Sequence, residues 1–98
     1  MTPRLLFRPQ ARAELLEARA WYEEQVPGLG PEFGLAVAAA AAGIVRFPLA
    51  YPVAHGQVRK AVLRRFPYAL LYVREAETIV ILACYHHRRD PEGWRSRA

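Results

Sequence analysis

Basic and aromatic side chains that could bind or cleave a nucleic acid concentrate in the second half of the chain. The set consists of Arg59, Lys60, Arg64, Arg65, Tyr68, Tyr72, Tyr85, His86, His87, Arg88 and Arg89. Cationic side chains bind phosphates, and aromatic rings stack on bases. Arginine can also stabilise a pentavalent phosphate while histidine or tyrosine moves a proton. The set therefore predicts a nucleic-acid-binding surface or a nuclease site. The third alternative is a solvent-exposed sheet edge whose charged side chains prevent pairing with the strand of another molecule.

The pattern does not predict a metal or cofactor site. His86 and His87 are neighbours on an expected strand and would point to opposite faces, and no cysteine or acidic residue accompanies them at ligand spacing. The third histidine, His55, falls in an expected loop. Cys84 lies inside an apolar run, where cysteine usually fills a core. No glycine-rich phosphate loop is present.

The composition predicts a single domain over residues 1–98. Hydrophobic residues make up 53% of the chain, which is ample for one core. The net charge of +5 favours an anionic partner, although arginine codon bias would also produce it; Lys60 is the one lysine among 14 basic residues. One cysteine, no apolar run near the ~20 residues of a membrane span and no signal peptide lead us to expect a cytoplasmic protein without membrane contact.

The elements that must position the basic set form an α+β pattern. We expect a strand at residues 4–8, a helix at 10–25, a linker at 27–31, a second helix ending at Phe47, a loop at 49–56, and strands at 59–65, 68–74 and 78–85. The short linker predicts an antiparallel helical hairpin. We therefore expect an N-terminal strand, the hairpin, and a three-stranded antiparallel meander, with the helices packed on one face of the sheet.

The last expected strand and the tail differ sharply in polarity. Both alternating sets of residues 79–84 are apolar, which predicts a central strand with little water on either face. The tail after Tyr85 is polar and basic, and Trp94 is its one large apolar residue. Trp94 either folds back onto the sheet as an anchor or contacts a partner.

Short motifs follow one another along nearly the whole chain in the order and spacing of a known family. They are Ala13-Glu14-Leu15, Trp21-Tyr22-Glu23, Gly30, Phe33, Phe47-Pro48, Tyr51-Pro52, Arg59, Leu63-Arg64-Arg65-Phe66-Pro67-Tyr68, Tyr72, Ile79 to Ala83, His86-His87-Arg88-Arg89-Asp90-Pro91 and Trp94-Arg95. Each fragment is weakly specific, and together they resemble the RelE/ParE superfamily of toxins from type II toxin–antitoxin systems.

The resemblance implies a plasmid-stabilisation type of toxin that arrests growth and forms a hetero-oligomer with a cognate antitoxin. The antitoxin would wrap an extended or helical segment around an exposed apolar strip on or beside the hairpin. The residues expected to contact it are Leu15, Trp21, Tyr22, Phe33 and Val37.

Two kinds of target divide this superfamily. RelE-type toxins cleave mRNA on the ribosome, and ParE-type toxins inhibit DNA gyrase without hydrolysing anything. A nuclease would use Arg64 and Arg88 with His86 or His87, but Trp94 stands where those nucleases are expected to carry a tyrosine. Phe66-Pro67-Tyr68 and the segment from Arg89 to Trp94 are closer to the ParE branch.

The preferred interpretation is therefore a non-enzymatic gyrase inhibitor. The residues expected to bind the target are Arg59, Lys60, Arg64, Arg65, Tyr68, Arg88, Arg89 and Trp94. The alternatives are a ribosome-dependent mRNA endoribonuclease and a binding module that is no longer toxic.

Overall fold

A helical hairpin packs on one face of a five-stranded sheet in the computed structural model, which describes residues 2–98. The elements in chain order are β1 (Arg4–Phe7), α1 (Pro9–Gln25), α2 (Leu29–Arg46), β2 (Val53–His55), β3 (Val58–Val62), β4 (Tyr68–Glu75), β5 (Thr78–His86) and α3 (Glu92–Arg95). The predicted α+β class, with a strand before the hairpin and a meander after it, is confirmed.

The sheet has the order β1-β5-β4-β3-β2. β1 runs parallel to β5, and the remaining pairs are antiparallel. β5 is an interior strand: Ile79 and Ile81 join the core under the helices, while Val80 and Leu82 join a second cluster on the other face. The apolar character of both sides of this strand, seen in the sequence, is explained by this position.

The expected loop at residues 49–56 contains a strand, so that prediction was wrong. Val53 and His55 pair with β3 across an irregular register. Three residues with a single β-branched side chain give too weak a local pattern, and the pairing is supplied by β3. β2 adds a fourth strand to the expected three-stranded meander.

Two predicted boundaries differ from the structure by more than one residue. The strand expected at residues 59–65 ends at Val62, because the chain turns at Arg65, whose φ of 71° lies in the left-handed region. The second helix begins at Leu29, inside the expected linker. Pro31 fits within its first turn, where the missing N–H would have had no intrahelical partner.

The turn between the helices is closed by a carboxylate. Gly28 has a φ of 93°, a conformation that favours glycine. The carboxylate of Glu23, near the end of α1, accepts the N–H of Gly28 at 3.0 Å and that of Gly30 at 2.9 Å. A Cβ at Gly30 would lie 3.0 Å from the carbonyl oxygen of Arg19, so glycine lets the helices approach closely here.

Each face of the sheet has its own core cluster. Phe33, Val37 and Ile44 of α2 are buried under the hairpin. On the opposite face, Trp94 of α3 is only 6% exposed and packs in a cluster with Leu71, Leu82 and other residues of β3 to β5. Of the two alternatives for Trp94, the structure shows the anchor.

One described helix, α2, is long and apolar enough to cross a membrane by length and composition, with 18 residues and a mean hydropathy of 1.3. No such segment was expected from the sequence, because alanine raises the hydropathy of α2 without a run of large apolar side chains. Helices that pack in the core of a globular domain meet the same criterion, and one side of α2 is buried against the sheet and α1.

Candidate functional site

One end of the sheet collects most of the predicted basic residues. β3 ends there, β4 begins there and β5 ends there, and the carbonyl of Pro67 accepts the N–H of His87 at 2.9 Å. We call this surface the basic end; it comprises Arg64, Arg65, His86, His87, Arg88 and Arg89. All four arginines of the basic end are exposed, so they are available to a partner.

The arginines of the β3–β4 turn are held differently. Arg65 lies 3.5 Å from the carboxylate of Glu32 in an exposed ion pair, which contributes little to stability. Arg64 borders a cavity between α2 and β3 beside Ala36 and Ala40, and its side chain is exposed. Arg64 is therefore the more available of the two arginines for contact with a partner.

Arg59 lies away from the basic end. Its Nη1 donates to the carbonyl of Tyr51 at 2.6 Å and to that of Leu49 at 3.3 Å. Tyr72, its cross-strand neighbour, donates its hydroxyl to the carbonyl of Pro48 at 2.7 Å. The two side chains hold the segment after α2 against the sheet, so the structure gives Arg59 a structural contact instead of a place in the expected cluster.

A cavity of about 530 Å³ lies between α1 and the basic end, and we call it the aromatic cavity. It is lined by Glu14, Glu17, Ala18, Trp21, Tyr22, Pro67, Tyr68, Cys84, His86 and Arg89. The ring of Tyr68 lies 6.1 Å from that of Tyr22 and 5.3 Å from that of His86, and Trp21 is 55% exposed. The cavity brings together residues that the sequence analysis had assigned to the antitoxin and to the target.

The cavity holds its phenols and its thiol in the protonated form. Burial raises the pKa of Tyr22. Burial also raises the pKa of Tyr68, against the opposing charge of Arg89. Burial, with a smaller effect of Glu14, raises the pKa of Cys84 to about 12. These groups can donate hydrogen bonds near neutral pH, but they are poor bases and nucleophiles there.

The surroundings of His86 favour its neutral form. Partial burial is the main cause of its lowered pKa, and the charges of His87, Arg89 and Arg88 act in the same direction. Its Nδ1 accepts the backbone N–H of Arg88 at 3.2 Å. The rings of His86 and His87 stack with centroids 5.6 Å apart, so the expectation that they point to opposite faces was wrong. β5 ends at His86, and the alternation of a strand does not continue into His87.

Residues 2–98 contain no group of three or more histidine, cysteine, aspartate or glutamate side chains that could hold a metal ion.

Comparison with known proteins identifies the family. The model of the family described as "ParE toxin of type II toxin-antitoxin system, parDE" matches residues 5–91. The chain belongs to the ParE toxin family. The predicted resemblance to the ParE branch is thereby confirmed. The match ends before α3, so Trp94 and Arg97 lie outside the matched residues.

One similar solved structure is the "Chromosomal ParDE TA system from P. aeruginosa". It has a TM-score of 0.77 and 17% sequence identity, and the alignment covers 87% of this chain and 96% of that one. At this identity the likeness shows a shared fold. No curated protein matches the sequence of this ParE-family toxin.

An ion pair that the sequence analysis missed joins the tail of this ParE-family toxin to its first helix. The guanidinium of Arg97 meets both oxygens of Glu14 at 3.0 Å, and its Nη1 also donates to the carbonyl of Leu82 at 3.1 Å. Glu14 accepts the N–H of Cys84 at 3.1 Å. A separation of 83 residues between the partners leaves no local pattern from which the pair could be read.

The residues expected to contact an antitoxin differ in exposure in this ParE-family fold. Phe33 and Val37 are buried, because the predicted stripe of α2 faces the core. Phe33 therefore lies outside any exposed strip, whereas Val37 lines an apolar groove beside β1. Leu15 and Tyr22 are half-buried, and Trp21 is exposed.

A separate apolar groove of about 620 Å³ runs between β1 and α2. It is lined by Leu5, Phe7, Gly34, Val37, Ala38, Ala41, Ala42, Val45 and Arg46.

Proposed function

We propose that this ParE-family chain is an active toxin that arrests growth by binding and inhibiting DNA gyrase, and that a cognate antitoxin neutralises it in a hetero-oligomer. Membership of the ParE toxin family over residues 5–91 is the observation that carries the proposal. Gyrase acts on the chromosome, so the proposal includes a cytoplasmic location, and a role in plasmid stabilisation belongs with it.

The protonation states of the aromatic cavity support binding over catalysis. A general base works best when its pKa lies near the operating pH. Burial moves the pKa values of Tyr22 and Tyr68 further above neutrality, so neither phenol is a base there. Trp94 has no group that ionises near neutral pH, and it is buried on the other face of the sheet. A protein that binds its target needs none of these groups to titrate.

The exposed arginines of the basic end support the same conclusion. Arg64 and Arg88 are both exposed and lie on the two turns that meet at this end of the sheet. Arginine is favoured at interfaces because its planar group forms several hydrogen bonds at once. We therefore place the target contact at the basic end, with Tyr68 beside it in the aromatic cavity.

The deciding experiment is induced expression in bacteria, with mRNA ends and chromosomal double-strand breaks measured in the same culture. We expect breaks with intact mRNA. The double variant Arg64→Ala/Arg88→Ala should weaken inhibition of purified gyrase by about tenfold or more, as expected when two interfacial charges are lost. Arg74→Ala, an exposed arginine at the β4–β5 turn, is the matched control and should act like the unmodified protein.

Other outcomes would overturn this proposal. Codon-phased mRNA cuts without breaks would establish a ribosome-dependent endoribonuclease and give Arg64, Arg88 and His86 or His87 catalytic roles. Normal growth with retained antitoxin binding would establish a binding module that is not toxic.

The groove between β1 and α2 is the surface that we assign to the antitoxin. Its lining is almost wholly apolar, and Leu5 and Leu6 of the edge strand β1 are exposed. An apolar helix or strand of a partner can bury such a groove, and β1 offers a free edge for strand addition. Half-buried Leu15 and exposed Trp21 of α1 form a different surface.

Coexpression with the antitoxin tests this assignment. Ala38→Glu/Ala42→Glu places two charges in the groove and should abolish the rescue of growth by the antitoxin while the toxin stays active. Ala39→Glu adds a charge to an exposed position of α2 that borders a different cavity, and rescue should persist. Rescue of the double variant at the unmodified level would place the antitoxin elsewhere, with α1 as the next surface to test.

A further inference from the structure

A second cavity lies on the face of the sheet opposite the helical hairpin. Its volume is about 290 Å³, and its apolar walls come from the second core cluster: Ala54, Ala69, Leu71, Tyr85 and Trp94. Small residues at 54 and 69 leave this space open beside the indole of Trp94. The cavity is separate from the groove assigned to the antitoxin.

Lysine and arginine side chains line this cavity together with two histidines. Lys60 projects from β3, Arg95 comes from α3, and His86, His87 and Arg89 come from the end of β5 and the segment after it. No carboxylate lines it among the described residues, whereas Glu14 and Glu17 line the aromatic cavity. Cationic groups around a cavity that no carboxylate lines favour the binding of an anion there.

Arg95 carries an unused hydrogen-bond donor. Its Nε is buried and has no partner within residues 2–98. Its Nη1 lies 3.9 Å from the exposed carboxylate of Glu92, too far for a hydrogen bond. Its guanidinium lies 5.9 Å from the centre of the Trp94 ring, at the wall of the cavity. Buried donors in folded proteins almost always have an acceptor, so Arg95 has a donor left for a ligand oxygen.

The rim is held in place without help from a ligand. The hydroxyl of Tyr85 donates to the carbonyl of Asp90 at 3.0 Å, and the guanidinium of Arg89 lies 5.5 Å from the centre of the Tyr85 ring. Trp94 is buried beside it. A site whose walls are fixed in advance loses less entropy on binding.

We propose that this cavity, the oxyanion pocket, binds a phosphate group through Lys60, Arg89 and Arg95. Phosphate offers several strong acceptor oxygens, which match the converging ammonium and guanidinium donors. The phosphate belongs to a free anion or to a nucleotide chain, and both present the same chemistry to these side chains. The pocket shares Arg89 with the basic end. It nevertheless goes beyond the proposed function, because inhibition of gyrase does not require a bound phosphate.

Trp94 provides a direct reporter of binding. Trp21→Phe leaves Trp94 as the one tryptophan, and Trp21 does not line the pocket. The purified full chain is titrated with inorganic phosphate, with thymidine monophosphate and with a short single-stranded thymidine oligonucleotide, each at constant ionic strength set by chloride. We expect a saturable change in Trp94 emission, with the same affinity by calorimetry.

Three variants make the test specific. Lys60→Met and Arg95→Met keep the apolar stems and remove the charges, and each should weaken binding by about tenfold. Arg74→Met removes a charge at the β4–β5 turn and should bind normally. Circular dichroism of each variant is the control for correct folding. If Arg95→Met does not fold, Lys60→Met decides the question by itself.

Saturation by inorganic phosphate supports a pocket for free phosphate, and saturation by the nucleotide or the oligonucleotide alone supports one for phosphate within a nucleic acid. No saturable response to any of the three probes would overturn the proposal, as would unchanged affinity of Lys60→Met. Growth arrest is not part of this readout, so failure of the gyrase proposal and failure of the pocket are distinguishable.

Discussion

At the scale of single residues, the Glu14–Arg97 pair completes a strand edge. The pairing of β1 with β5 ends at Phe7 and Ile81, where the chain leaves β1 for α1. The next backbone groups along that edge, the carbonyl of Leu82 and the N–H of Cys84, bond instead to Arg97 and Glu14. The carboxylate and the guanidinium therefore replace the missing strand.

Removing one partner of this pair should destabilise the fold. The side chains are only 20% and 15% exposed, so Glu14→Ala leaves a shielded guanidinium and a backbone N–H without their acceptor. We expect a loss of about 2–3 kcal/mol in the free energy of unfolding, measured by urea denaturation. Glu17→Ala, on the same helix and lining the same cavity, is the matched control and should change stability by less than about 0.5 kcal/mol. Equal losses in the two variants would contradict the role given to Glu14.

At the scale of the elements, the sequence predicts the helices and the long strands well. The apolar stripe of α2 and the two apolar faces of β5 are periodic over many residues, so their type and burial follow from the pattern. β2 could not be found this way, because its three residues become a strand only by pairing with β3. The Glu23 carboxylate at the hairpin turn is likewise invisible to periodicity, since its partners are backbone N–H groups.

The hairpin turn should make stability depend on acid pH. Backbone hydrogen bonds from Gly28 and then Gly30 lower the pKa of Glu23 below its usual value of 4.5. A carboxyl whose pKa is lower in the folded state contributes its full stabilisation above the unfolded pKa and loses it as the pH falls through the folded one. Glu23→Gln should therefore be less stable than the unmodified chain at pH 7, with the difference shrinking below pH 4.5.

Thermal unfolding of both proteins between pH 7 and pH 3 checks this dependence. Glu24→Gln, an exposed neighbour on α1 without these hydrogen bonds, is the control. If the difference in thermal stability between Glu23→Gln and the unmodified chain stayed constant across this pH range, the ionised carboxylate would not be what stabilises the turn.

At the scale of the whole molecule, the candidate site was predicted in part. Arg64, Arg65, Arg88 and Arg89 gather at one end of the sheet because the β3–β4 turn and the end of β5 fall at the same end of an antiparallel meander. The order of the elements already implies this. The prediction that Arg59 joins the other basic residues was wrong. Its side chain bonds to the segment after α2, and that contact depends on how the segment folds back onto the sheet. The cavities also could not be predicted, since their shapes depend on side chains from distant elements.

The two faces of the sheet are covered very unequally, and this makes Trp94 a decisive residue for the stability of the molecule. The hairpin shields one face with two long helices, whereas the four-residue α3 lies on the other and contributes Trp94 as its one buried residue. Trp94→Ala should lower the free energy of unfolding by about 3–5 kcal/mol, which is a large share of the total stability of so small a domain.

The variant Trp94→Phe distinguishes between two roles of Trp94, a structural anchor and a contact with a partner. Phenylalanine refills most of the space beside Leu71 and Leu82, so we expect this variant to recover much of the stability in urea denaturation and to arrest growth like the unmodified chain. Growth arrest by Trp94→Ala should return at low temperature, where the folded population is larger. A stable Trp94→Phe protein that no longer arrests growth would instead assign the indole to the partner, because an anchor needs bulk and a recognition contact needs the indole itself.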